Sequence, residues 1–301
     1  MEPLISVNVG KYKVEGITIA GYYSFVMIEN LNICFDLGIG SRATAKYSTV
    51  LITHGHHDHC GGLYRHNHHR RVRKSHKENI SQAVYVVPPV CLSGIRQMYL
   101  GFYNLDTGTN CAQKVHPNYV ALEPGNDHWI SKDIFTRPFA TKHRVPSQGY
   151  TVYQRRKKLK PEYMQLQGNK IRDLRLTGVD VTEDVDFPLV SYTGDTVIEG
   201  IFTHVDVMAS ELLIMECTIL DDALSVQETR NRGHVHLDEL LKHAKKFKDI
   251  PDILLCHFSD RYRPEEIRHI ITKRLKGTVL ESNVNIFCAK KKKQIKKKIM
   301  K

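Results

Sequence analysis

Short apolar runs separated by polar turns recur along most of the chain, the pattern of a layered α/β protein. GITIAGYYSFVMIENLNICFDLG, from Gly16 to Gly38, predicts strands that meet at a turn around Glu29 and Asn30. STVLITHG predicts a short buried strand leading straight into a histidine-rich segment. Five further runs, AVYVVPP, DIFTRPFATKH, FPLVSYTGD, ELLIMECT and DILLCHFSD, also predict strands. Two stretches carry the other period. In HLDELLKHAKKFKD, Leu237, Leu240, Leu241, Ala244 and Phe247 fall on one helical face. In RPEEIRHIITKRLKG, Pro264 opens a helix, Glu265 and Glu266 suit its positive end, and Gly277 can close it. YQRRKKLKPEYMQLQGNKIRDLRLTG is basic and weakly periodic, and predicts a surface insertion.

No internal repeat interrupts this plan, and 301 residues are enough for one large domain. No apolar run is long enough to span a bilayer, so no membrane association is expected. The opening MEPLISVNVGKYKVEG lacks the basic head and apolar core of a secretion signal. Seven cysteines are scattered without paired spacing, which predicts free thiols in a cytoplasmic or nuclear protein, not a secreted one. The formal net charge is +12, part of it in the closing AKKKKQIKKKIMK, which predicts a disordered tail over 290–301. Such a balance suits a polyanionic partner.

The dense segment THGHHDHCGG places His54, His56, Asp58 and His59 just beyond a predicted strand. His143, Asp195 and His257 follow three other predicted strands in the same way. Imidazole and carboxylate are the ligands that Zn²⁺ accepts, and open α/β sheets build sites at strand C-terminal ends. Seven ligands are too many for one tetrahedral ion but fit a pair sharing a carboxylate. The expected assignment gives His54, His56 and His143 to one ion and Asp58, His59 and His257 to the other, with Asp195 bridging. His57 points away by spacing and is not expected to bind. Paired cations suit in-line displacement at phosphorus, and Asp58 is placed to take a proton from the attacking water.

These motifs, with YTGDT and HFSDRY, resemble the metallo-β-lactamase fold, an αββα four-layer sandwich. TKHRVPSQGYTVY, LKPEYMQLQGNKI, MECTILDD and GHVHLDELLKHAKKF are similar to stretches of tRNase Z, the endonuclease that trims tRNA 3′ trailers, in its short plant-like form. The resemblance spans residues 1–289 as one catalytic unit and implies two zinc ions per subunit, with manganese possible. It implies that Asp36 supports the histidine loop, and that His234 protonates the leaving group while Glu216 orients it. The competing reading of His234 is a cap for the helix starting near Leu237, and the acid role is favoured over it. The resemblance further implies an RNA-gripping arm over 152–186, carrying Arg155, Arg156, Lys157, Lys158, Lys160, Lys170, Arg172 and Arg175. It also implies a homodimer acting on precursor tRNA, leaving a 3′-hydroxyl on the tRNA and a 5′-phosphate on the trailer. The competing reading is a hydrolase of a small phosphodiester or ester on the same fold. Residues 64–77, YRHNHHRRVRKSHK, depart from the family and are expected to form a basic, partly mobile loop.

Overall fold

The strands expected from the apolar runs form two sheets in the computed structural model, which describes residues 4–75, 81–109 and 117–289. The tail over 290–301 and Cys111 lie outside the described residues. The first sheet runs in the order β1 (Ile5–Val9), β2 (Tyr12–Ala20), β3 (Tyr23–Ile28), β4 (Ile33–Phe35), β5 (Thr49–Leu51), β6 (Val84–Val87) and β7 (Asn118–Ala121). Its first four strands are antiparallel and its last four pair in parallel. The second sheet contains β8 (His128–Trp129), β9 (Ile134–Ala140), β10 (Gln148–Leu159), β11 (Thr182–Tyr192), β12 (Leu212–Glu216) and β13 (Asp252–Cys256). The short β14 (Phe258–Ser259) crosses to pair with β2, and β15 (Val284–Ile286) closes the second sheet beside β13. The Gly16–Gly38 stretch thus has an additional turn at Gly21–Tyr22 beyond the expected one, which is a 3₁₀ turn at Glu29–Leu31.

Three apolar clusters define four layers. One lies between the sheets and joins Val14, Val26 and Phe35 to Tyr150, Tyr192 and Leu254. A second packs Leu213, Met215 and Leu255 against Leu237, Leu240, Ile267 and Ile271 of the helices outside the second sheet. The third packs Met27, Val50 and Tyr85 against Leu63, Ile95 and Tyr99 of the helices outside the first. Burial of each such side chain stabilises the fold by about 1.5–3 kcal/mol. Six cysteines are free and all but Cys91 are buried, as apolar surroundings dictate.

Two expectations need correction. The periodic stretch after His236 is not one helix: Leu237–Lys242 and Ala244–Phe247 are separated by a break at His243, whose φ of −100° and ψ of 11° interrupt the ladder. The His243 ring packs on Phe202, 5.2 Å between centroids, while Ala244 and Phe247 still reach the core. The His- and Arg-rich segment is not a loop either. It forms the helix Leu63–Ser75, and only 76–77 fall outside the described residues. Leu63, His66 and Arg70 make its inward stripe at helical spacing, two of them polar. Their demands are met: the Tyr85 hydroxyl donates to His66 Nδ1 at 2.7 Å and His66 Nε2–H donates to the Thr44 carbonyl at 3.1 Å. Arg70 donates to the carbonyls of Ala45, Tyr47 and Ser81.

The insertion is an extension of the second sheet. β10 and β11 stay paired from Tyr153 opposite Pro188 out to Leu159 opposite Thr182, and the helix Gly168–Leu176 with no buried residue sits at the tip.

Candidate metal centre

Strands from both sheets end at one edge of the sandwich, and each end delivers polar side chains there. β4 leads to Asp36, β5 leads to His54 and the turn His57–Cys60, and β9 leads to His143. β11 leads to Asp195, β12 ends at Glu216 and β13 leads to His257. Asp36 and His257 adopt positive φ, 56° and 57°, a conformation that costs a non-glycine residue about 1–3 kcal/mol and clusters at functional sites.

Three imidazole nitrogens converge first. His54 Nε2 and His143 Nε2 lie 3.0 and 3.3 Å from His56 Nδ1. A tetrahedral ion at about 2.0–2.1 Å from each nitrogen would space its ligands by ~3.3 Å, close to what these rings show. Their outer nitrogens fix the tautomers. His143 Nδ1–H donates to the Gly233 carbonyl at 2.9 Å, and His54 Nδ1 meets the Thr53 hydroxyl at 3.0 Å. Burial, reinforced by the neighbouring rings, lowers the pKa of His54, His56 and His143, which keeps them neutral and their lone pairs available. Gly233, at φ 79°, is required there, because a Cβ would stand 2.5 Å from His143 Nδ1.

A second group forms beside the first. His59 Nε2 and His257 Nε2 each lie 3.4 Å from Asp195 Oδ1, and 3.5 and 3.9 Å from Asp58 Oδ2. The other Asp195 oxygen faces His54 and His143 at 3.9 Å from each. One carboxylate therefore looks both ways. Asp195 Oδ1, His59 Nε2 and His257 Nε2 are all buried with no hydrogen-bond partner. Buried polar atoms left unpaired are costly, and three of them facing one centre fit a cation. Burial would lower the pKa of His59, but Asp195 and Asp36 outweigh it and hold the ring protonated well above its usual range. A divalent ion bound there would substitute for that proton. Burial raises the Asp58 and Asp195 carboxyls, yet the adjacent histidines hold both below the usual carboxylate range.

Asp36, fully buried, anchors this arrangement. It accepts the Thr53 N–H at 2.8 Å, the Thr53 hydroxyl at 3.0 Å, His59 Nδ1–H at 2.8 Å and the Tyr192 hydroxyl at 3.1 Å. Phe35 and Tyr192, one from each sheet, stack beneath it at 4.8 Å. The Gly21 N–H donates to Asp58 Oδ2 at 2.9 Å. Gly194, φ 57°, lets the Asp195 loop pass close to Thr53, where a Cβ on Gly194 would stand 2.7 Å from the Thr53 Cβ.

His234 stands at the rim. Its Nδ1–H donates to Glu216 Oε1 at 3.0 Å. Burial opposes charge on this ring, but Glu216 prevails and raises its pKa to about 9. Glu216 is held in turn by the N–H groups of Thr196 and Val235 and by the Thr218 hydroxyl. The cap of the helix Leu237–Lys242 is His236, whose Nδ1 accepts the Asp238 N–H at 3.0 Å. His234 is therefore not the helix cap.

The seven expected ligands thus meet in two adjoining groups, with His57 exposed and outside both. The arm residues are spread elsewhere. Arg155 pairs with Asp186 at 2.7 and 3.0 Å and packs over Trp129, and Lys157 pairs with Asp184 at 3.1 Å. Arg156 bonds Gln154, and Arg172 lies 3.8 Å from Asp173. Lys158, Lys170 and Arg175 are exposed on the arm, and Lys160 is half-buried at its base. Thr53, Thr218, Tyr192 and the backbone of Gly21 and Gly233 carry no spacing signal in the sequence, yet they orient the ligands.

No family model matches the chain. It is 34% identical over 274 residues to tRNase Z TRZ1 of Arabidopsis thaliana, which covers 90% of this chain and 94% of that protein. Its structure is similar to the metallo-β-lactamase fold protein YhfI of Bacillus subtilis, with a TM-score of 0.57 at 16% identity over 94% of this chain and 96% of that one. The human short-form tRNase Z, ELAC1, gives a TM-score of 0.53 at 19% identity over 81% and 91%. The two structural likenesses establish the metallo-β-lactamase fold.

Proposed function

The chain belongs to the tRNase Z family, and from that premise we propose that it cuts precursor tRNA beside the discriminator nucleotide. The tRNA keeps a 3′-hydroxyl and the trailer leaves with a 5′-phosphate. The observation that carries this reading is a two-sided ligand cluster joined to a protonated imidazole: Asp195 faces His54 and His143 on one side and His59 and His257 on the other, with His234 4.0 Å from it. The cluster suits two zinc ions per subunit, or manganese, with His54, His56 and His143 holding one, Asp58, His59 and His257 the other, and Asp195 both. When bound, such a pair stabilises negative charge on the attacking and leaving oxygens.

The chain's own side chains do the rest. Asp58, held ionised by its histidine neighbours and fixed by Gly21 N–H, accepts a proton from the attacking water. His234 delivers a proton to the departing 3′-oxygen, and Glu216 keeps it charged and oriented. Asp36 keeps the His59 tautomer and the histidine loop in place. The arm over 152–186 contacts the folded RNA through phosphates, with Arg156, Lys158, Lys160, Lys170, Arg172 and Arg175 as its contacts and Arg155 and Lys157 bracing its strands. Residues 1–289 act as one catalytic unit, the protein works as a homodimer, and free thiols suit cytoplasm or nucleus. No helix among the described residues is long and apolar enough to cross a membrane.

The test is cleavage of a 3′-extended precursor tRNA with both product ends mapped, with and without chelator. A single chelator-sensitive cut beside the discriminator base is the expected result. Random cuts, or turnover only of a small phosphodiester or ester, would replace this reading with the small-substrate hydrolase.

A further inference from the structure

A cleft of about 280 Å³ opens beside His234, lined by Thr218, Ser259, Arg144, Arg232 and Arg261 among others and by none of the seven expected ligands. All three arginines are exposed, and none forms an ion pair with a described carboxylate. Arg261 Nε donates only to the Ser259 hydroxyl, at 3.2 Å. On the arm, by contrast, Arg155 is neutralised by Asp186. Three guanidinium groups without an ion pair around one small opening form a ready anion site, since the guanidinium fork fits phosphate oxygens. The cleft is open to solvent on one side, so it suits one unit of a chain that continues beyond it.

The chemistry of His234 says which chain. Its Nδ1 is committed to Glu216, so the other ring nitrogen carries the transferable proton. The oxygen that takes this proton stays with the tRNA as its terminal 3′-hydroxyl. The nucleotide bearing that oxygen therefore extends from His234 into the cleft, while the trailer remains attached to phosphorus on the ligand side. We infer that Arg144, Arg232 and Arg261 clamp the phosphodiester immediately 5′ of the discriminator nucleotide and so hold the departing tRNA end in line. This assignment rests on the endonuclease reading and adds a substrate subsite to it.

The test uses zinc-loaded protein and two product mimics that cannot be cut. One is an acceptor-stem hairpin ending in an unpaired nucleotide with a 3′-hydroxyl, and the other is a 5′-phosphorylated trailer oligonucleotide. Binding is followed by fluorescence anisotropy over a salt series, with the last linkage of the hairpin either native or an uncharged methylphosphonate. Wild-type protein should bind the methylphosphonate hairpin more weakly. The triple variant Arg144→Ala, Arg232→Ala, Arg261→Ala should bind both hairpins alike, with a log–log salt slope shallower by about 0.7, the value for one phosphate no longer neutralised. Its binding of the trailer mimic should not change. The triple Arg→Lys variant should recover the slope but not the full affinity, which separates lost charge from misfolding.

The inference is overturned if the alanine variant still senses the methylphosphonate, or if trailer binding falls as much as hairpin binding. A wild-type protein that cuts precursor tRNA while ignoring the methylphosphonate refutes the clamp alone. One that neither binds nor cuts tRNA refutes the endonuclease reading and the clamp with it.

Discussion

Replacing Asp36 by Asn perturbs the centre without removing a ligand. The shape of the side chain is retained, and Asn tolerates the positive φ of 56° at this position. The carboxylate accepts from the Thr53 N–H and hydroxyl, from His59 Nδ1–H and from the Tyr192 hydroxyl. An amide has one accepting oxygen, so its NH₂ must face a donor. The Tyr192 hydroxyl can rotate to accept, but His59 Nδ1–H cannot. Relief requires Nδ1 to give up its proton and leave His59 neutral with its hydrogen on Nε2, the atom that faces Asp195 at 3.4 Å. That places a hydrogen where the second ion should sit.

Loss of such an orienting partner lowers metal affinity by about 10–100-fold, or ~1.4–2.8 kcal/mol at the tenfold-per-1.4 conversion. The loss should fall on the ion held by Asp58, His59 and His257, leaving the one at His54, His56 and His143 nearly unchanged. Zinc competition against a chromophoric chelator resolves two affinities and shows which one drops. Urea unfolding of the metal-free protein should fall by about 1–3 kcal/mol, the cost of one unsatisfied buried donor. Equal zinc affinities at both sites in Asp36→Asn and wild type would refute the reasoning, because the tautomer would then not depend on the carboxylate.

Other consequences are equally concrete. Asp58→Ala should abolish cleavage of precursor tRNA while leaving tRNA binding by gel shift largely intact; a retained rate would remove Asp58 as the proton acceptor. His66, which burial and the adjacent Arg70 cation lower to a pKa of about 3, is neutral in the fold. Its stabilising effect is therefore present above the unfolded value near 6.5 and is lost as pH falls toward 3, amounting to about 2 kcal/mol at pH 5. Urea midpoints of wild type and His66→Gln between pH 7 and pH 5 should converge by that amount, and parallel curves would show that His66 does not titrate on unfolding. Replacing 161–180 by a two-residue turn keeps the buried Val181 and preserves the pairing of Leu159 with Thr182. It should leave the thermal midpoint near wild type, raise KM for tRNA and flatten its salt dependence; an unchanged KM would dismiss the arm as an RNA contact.

Much of the centre is legible in the sequence because its signal is local. His54, His56, Asp58 and His59 sit within six positions after a β-branched strand, and each remaining ligand follows another strand. What orients them is not local. Tyr192 reaches Asp36 across 156 positions, and Gly233 reaches His143 across 90, so no window of sequence joins them. The choice between His234 and His236 for the helix cap is settled only in three dimensions, where Glu216 captures one ring and Asp238 N–H the other. The helix Leu63–Ser75 was hidden by composition: its inward stripe uses His66 and Arg70, residues that read as solvated until Tyr85 and three carbonyls are found to receive them. The break at His243 is likewise invisible to periodicity, since the apolar residues on either side keep their spacing.

The central claim is that Asp195 is shared between two cations. Anomalous diffraction from zinc-loaded crystals tests it most directly. Two anomalous peaks should flank the Asp195 carboxylate, one among His54, His56 and His143 and the other among Asp58, His59 and His257. A single peak at full zinc loading, or two peaks with Asp195 touching only one, would contradict it.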